Sequence, residues 1–328
     1  MSARYRFILN SLSRFAFNFR SIPRSLIVTH RNTGAVPCML GFSLFTWLGF
    51  NTSDNNLTAE DELINTIKHC VIFIQRLDYD KAEQLLHVAL RQAQQLHHEL
   101  GITYIYDLMA NLALEREQLD KAKRLFVAVT QRIMADGAKE DDPRVVHISA
   151  KLARISHLQK EYTTAQLGFD WCLDQLKAIT EKDPSSMEHK KLLALTEDWY
   201  GRLFLDCQQY QRGIILMVSA LEKMKEVSDI EQEHIVFQLN DIGAVYDELD
   251  KPDESISYFK EAILLGKSMK MDEIGTTYVN LGRAYIKKKM IEEARKSCGY
   301  AWKLGVLAKD KDVKHEAELC LKQIKNLS

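Results

Sequence analysis

Proline is scarce in this chain, five in 328 residues, and glycine numbers only 14. So little helix-breaking punctuation argues against sheet folds rich in tight turns and fits an all-helical body. The six cysteines (Cys38, Cys70, Cys172, Cys207, Cys298, Cys320) include no C-x-x-C pair. Such scatter reads as packing thiols in a reducing compartment, not as a metal knuckle or redox centre. The ten histidines contain no i, i+4 pair and no carboxylate at metal-site spacing, so no metal is expected. His97-His98-Glu99 resembles the start of a metalloprotease motif, but Ile102 stands where its second His belongs. Gly266-Lys267-Ser268 imitates the end of a P-loop, but the first glycine would have to be at Glu261. No serine elbow is present, and carboxylate pairs such as Asp141-Asp142 and Glu292-Glu293 fall in turns or on solvated helix faces. Neither an enzyme, a cofactor nor a small-molecule substrate is expected.

Charge is missing in one sign from one end. Residues 1–53 hold six arginines and no acid, whereas residues 54–328 hold 38 Lys/Arg against 45 Asp/Glu, a net of −7. An acidic body argues against nucleic-acid binding, which wants a basic face. Across residues 1–33, Tyr5, Ile8, Leu9, Leu12, Phe15, Ala16 and Phe19 form one helical stripe, with most arginines off it. That is the signature of a mitochondrial transit peptide. A basic membrane-surface helix or a secretory signal competes with it, although Arg14 and Arg20 break the apolar core a secretory signal needs. Residues 34–53 lie in an uncharged run from Asn32 to Ser53 that just suffices for the roughly 20 residues a spanning helix requires. Trp47 and Phe50 suit an interfacial belt. The segment is read as a candidate single transmembrane helix, its rival being a discarded piece of a longer presequence.

What is abundant is a repeat. Ala82, Ala122, Ala165, Gly213, Ser255 and Ala294 recur about every 40 residues. Seven residues after each comes a small or slim partner (Ala89, Val129, Cys172, Ala220, Ala262, Ala301), and twelve before each a small residue (Cys70, Ala110, Ala153, Gly201, Gly243, Gly282). Four after sits a bulky one: Leu86, Phe126, Phe169, Met217, Phe259, then Cys298. Small residues at these points let two antiparallel helices approach, while the larger ones fill the wedge to the next hairpin. This is the tetratricopeptide (TPR) pattern. It predicts an all-α right-handed superhelical solenoid of about six helix hairpins over residues 57–328. An amphipathic C-terminal capping helix, Asp312–Leu327, closes it.

One run is more specific. Residues 102–126, I-T-Y-I-Y-D-L-M-A-N-L-A-L-E-R-E-Q-L-D-K-A-K-R-L-F, resemble the tetratricopeptide repeat protein 19 family. The likeness is close over Thr103–Phe126 and looser through the other repeats. The N-terminal region is shorter than the family's, and Glu117 stands where the family often has glycine. The resemblance implies a protein of the mitochondrial inner membrane, its TPR domain facing the matrix. It also implies a scaffold that supports assembly and maintenance of respiratory complex III, with the complex's subunits as partners and a part in clearing Rieske-protein fragments.

The repeat frame places Tyr104, Asp107, Asn111, Lys151, Arg154, Asp198, Trp199, Arg202, Asn240, Asp241, Asn280 and Arg283 on first-helix positions that face a partner-binding groove. Trp199 is the expected anchor, since a large aromatic among charges is the usual hot-spot type. The alternative reading is a chaperone adaptor gripping acidic C-terminal tails. Asn111 fits that clamp, but Asp107 has the wrong sign where a basic residue belongs. A protease subunit, the third reading, lacks any nucleophile or metal set.

Overall fold

The computed structural model describes residues 59–228 and 230–327. The expected leader and hydrophobic segment lie outside the described residues. Among the described residues are thirteen α-helices and no strand. In chain order they are α1 (Ala59–Gln75), α2 (Tyr79–Gln95), α3 (Glu99–Glu115), α4 (Leu119–Ala135), α5 (Pro143–Leu158) and α6 (Tyr162–Lys182). Then follow α7 (Met187–Asp206) and α8 (Tyr210–Glu226), α9 (Gln232–Glu248) and α10 (Pro252–Ser268), α11 (Gly275–Lys287) and α12 (Ile291–Leu307), and the single α13 (Lys311–Leu327). The chain divides after Glu161 into two compact units. Within the first, α1 to α5 pack in chain order, and within the second, α6 to α13 do the same. No described helix is long and apolar enough to cross a membrane.

The residues that defined the repeat are the ones that pack. Ala82, Ala122, Ala165, Ser255 and Ala294 are wholly buried, as are Leu86, Phe126, Phe169, Met217 and Cys298 four residues on. At α7–α8 the approach is close on both sides. A Cβ on Gly213 would lie 2.9 Å from the Gly201 carbonyl, and one on Gly201 would lie 3.0 Å from the Gly213 carbonyl. These glycines forgo roughly 1 kcal/mol of helix propensity each so that two backbones can touch. The wider spacing between the second and fourth repeats has two sources. One is the connection at 136–142. The other is the length of α6 and α7, 21 and 20 residues. The latter starts at Met187, where the Ser186 hydroxyl caps it, accepting from the His189 amide at 3.3 Å.

Turns share one design. Leu77, His97, Glu117, Lys160, Gln208, Asp250, Lys270, Lys289 and Lys309 all have φ between 49° and 64°. Each sits one residue beyond a helix C-cap, where its amide and the next close back on the last turn, as Glu117 to Leu114 and Gln118 to Ala113 do. That is the Schellman closure, normally completed by glycine. Glu117 therefore occupies a left-handed position that glycine would hold without strain.

Cys298 on α12 and Cys320 on α13 form a disulfide, which corrects the reading of all six cysteines as thiols. They lie 22 residues apart on separate helices, a pairing that no local motif announces. The pair rests on Gly282, where a Cβ would come 2.2 Å from the Cys298 sulfur. Cys70 and Cys172 are buried and in no disulfide, and burial pushes both thiols up to about 12.

Candidate protein-binding surface

The twelve residues chosen from the repeat frame all lie on first helices: α3, α5, α7, α9 and α11. In the first unit, Asn111 Nδ2 donates to the Asp107 carboxylate at 3.0 Å, and Lys151 Nζ donates to Asn111 Oδ1 at 2.8 Å. Lys151 also lies over the Phe126 ring, 5.1 Å from its centroid. Burial lowers the affinity of this amine for its proton, and Asp107 partly restores it. Arg154 is 1% exposed and reaches His157 Nδ1 at 2.6 Å. Tyr104, Asp107 and Asn111 are half-buried.

In the second unit the line centres on Arg202. Its Nε donates to Asp198 at 2.8 Å on its own helix, and its Nη2 to Asp241 at 2.9 Å and Gln238 at 3.0 Å on α9. Gln238 Nε2 in turn donates to the Met217 carbonyl at 3.3 Å. Burial disfavours the Arg202 cation, but Asp198 and Asp241 outweigh it and hold the proton more firmly than usual. Burial raises Asp241 against the opposing pull of Arg202. Asn280 on α11 continues the line, donating to Asn240 at 3.1 Å. Arg283 ends it with an ion pair to Glu316 on α13.

Trp199 is 2% exposed. The expectation of an indole offered to a partner is revised, because its side of α7 is covered. Arg202, Asn240, Asp241 and Asn280 are likewise buried, leaving half-buried Asp198 and Arg283 as the accessible members here. Gln238 was missed, although it stands one turn before Asp241 on the same face. The geometry suits contact with another polypeptide: polar groups already held at fixed spacing on successive helices, some reachable from solvent. It shows no paired acid and base aimed at a common point. No group of His, Cys, Asp and Glu that could hold a metal ion occurs among the described residues.

Comparison with known proteins agrees with the hairpins. A tetratricopeptide repeat model matches residues 239–265 and 275–298, the α9–α10 and α11–α12 pairs. Tetratricopeptide repeat protein 19 homolog, mitochondrial, of Drosophila melanogaster is 39% identical over 269 residues, 82% of this chain and 73% of the relative. The chain belongs to the tetratricopeptide repeat protein 19 family. The Homo sapiens member, also named mitochondrial, is 28% identical over 321 residues, 90% of this chain and 84% of its own. Among solved structures, a signal-transduction ATPase with a tetratricopeptide repeat sensor from Pyrococcus horikoshii superposes with a TM-score of 0.60. It shares 13% identity, over 80% of this chain and 37% of that one. A Rap protein complexed with competence and sporulation factor gives a TM-score of 0.54 at 14% identity, over 87% and 79%. At such identities the likeness is one of fold.

Proposed function

We propose that the protein is a non-catalytic mitochondrial scaffold that supports assembly and maintenance of respiratory complex III. In this reading it binds the complex and aids clearance of Rieske-protein fragments. The supporting observation is family membership at 39% identity over 82% of the chain, joined to a TPR body whose first helices carry a pre-ordered polar line. Residues 1–33 serve as the transit peptide and residues 34–53 as the inner-membrane anchor, with the TPR domain, 57–328, on the matrix side. The partner contacts the first-helix line through its half-buried members, Tyr104, Asp107, Asn111, Asp198 and Arg283. Within each unit the buried members hold their own part of that line in register.

Affinity purification of the tagged full chain from detergent-solubilised mitochondria tests this reading. Complex III subunits, the Rieske protein among them, should co-purify, and Asp107→Lys together with Arg283→Glu should weaken that association while the protein stays folded. Recovery of chaperones with acidic C-terminal tails and no complex III subunit would favour the adaptor reading instead.

A further inference from the structure

A set of basic side chains is engaged by acids on neighbouring helices. Arg116 on α3 spans Asp80 and Glu83 on α2, Lys225 on α8 meets Glu261 on α10, and Lys287 on α11 meets Asp247 on α9. The last two helices depart from this. Residues 291–328 hold eight Lys/Arg against six Asp/Glu, a net of +2, while residues 54–290 hold 30 against 39, a net of −9. Lys303, Lys309, Lys311 and Lys322 are exposed, and none makes an ion pair among the described residues. Their charge is available to something outside the fold.

Four lysines of α13 line one seam. Three contacts set the antiparallel register of α12 and α13: the Cys298–Cys320 disulfide, the Trp302 indole donating to Glu318 at 3.1 Å, and Gly305 backed against the Lys314 backbone. On the flank of α13 next to Trp302, Lys311, Lys314, Glu318, Lys322 and Lys325 follow at steps of three and four residues. Glu318 is the one acid there, and it is occupied by Trp302 and, at 3.8 Å, by Lys314. Between these lysines α12 presents Trp302, 37% exposed, and Val306, 44% exposed. An indole and a valine amid flexible ammonium groups are what the boundary of an anionic bilayer recruits. Discrete carboxylates on a protein partner would favour the planar fork of arginine, and this flank of α13 carries lysine only.

We propose that the α12–α13 seam is a peripheral contact for an anionic lipid bilayer, with lysines over the headgroups and Trp302 and Val306 at the interface. It orients the body on a membrane and does not depend on the anchor assigned to residues 34–53. The test is hydrogen exchange of the full chain on two kinds of vesicle: phosphatidylcholine alone, and an equal mixture of phosphatidylcholine and phosphatidylglycerol. Backbone amides of residues 291–327 should exchange more slowly on the anionic vesicles only, and high salt should abolish the difference. Neutralising each lysine should lower partition into that state about fivefold. A Lys311→Gln, Lys314→Gln, Lys322→Gln variant, with circular dichroism confirming its fold, should therefore lose about a hundredfold. Equal exchange on both vesicles would overturn the proposal, as would unchanged protection in the triple variant. So would protection by soluble polyglutamate with none from anionic vesicles, which would make the seam a site for an acidic protein. Flotation on neutral vesicles reports on residues 34–53 instead, and loss of complex III subunits from the purification reports on the scaffold reading, so the three can fail separately.

Discussion

The inward line around Arg202 and the outward seam of α12 and α13 use the same residue types to opposite ends. Along the line, a cation is buried and shared between two carboxylates and an amide on two helices. Along the seam, lysines of similar sequence spacing face water with few acids to meet them. Polarity alone therefore does not mark a binding residue in a helical repeat. What decides is whether the next hairpin has already taken up its hydrogen-bonding capacity.

The largest effect should come from breaking the line. Arg202→Met leaves buried Asp241 beside half-buried Asp198 with no cation between them, and loss of one partner in such a network costs about 3–5 kcal/mol. Urea denaturation at neutral pH should show it. Cys320→Ser should follow, at about 3 kcal/mol for a loop of this length, and thiol reductant should lower the melting temperature of the wild type but not of the variant. Glu115 comes next. Burial raises its carboxyl to about 7, above its unfolded value, so the folded state binds the extra proton between those two values. Stability should be highest below about pH 4.5 as far as this group is concerned, and fall as pH rises through 7. Glu115→Gln should remove that slope and add about 1–2 kcal/mol at pH 8.

Smaller gains are expected where the repeat departs from its own rule. Ser255 fills a position that is alanine in four of six repeats, and its buried hydroxyl has no hydrogen-bond partner among the described residues. Ser255→Ala should raise stability by about 1 kcal/mol. Glu117→Gly, at φ 57°, should add up to about 1 kcal/mol by relieving the left-handed strain. The seam completes the comparison. Lys311→Gln and Lys322→Gln should each change stability by under about 0.5 kcal/mol, because neither side chain is engaged in the fold.

The hairpins were legible because close helix approach demands small residues at fixed offsets, and Gly201 opposite Gly213 shows how literally that demand is met. The candidate surface was legible only in direction. A repeat position says which way a side chain leaves its helix, but not how much of it the following hairpin covers, and so Trp199 was misplaced. Arg202 was read as free for the same reason, since Asp241, its partner on α9, is 39 residues away. The Cys298–Cys320 bridge escaped because Cys298 falls on a repeat position that packing alone explains, and Cys320 lies 22 residues on in the capping helix, outside the repeat frame.

A double-mutant cycle on Arg202 and Asp241 tests the central claim most directly: the buried polar line is a structural tie between hairpins. Urea denaturation of Arg202→Met, Asp241→Leu and the double variant should give a coupling free energy above about 1.5 kcal/mol, the double variant being less damaged than the two losses summed. Additive losses, each below about 0.5 kcal/mol, would contradict it and return these residues to the partner.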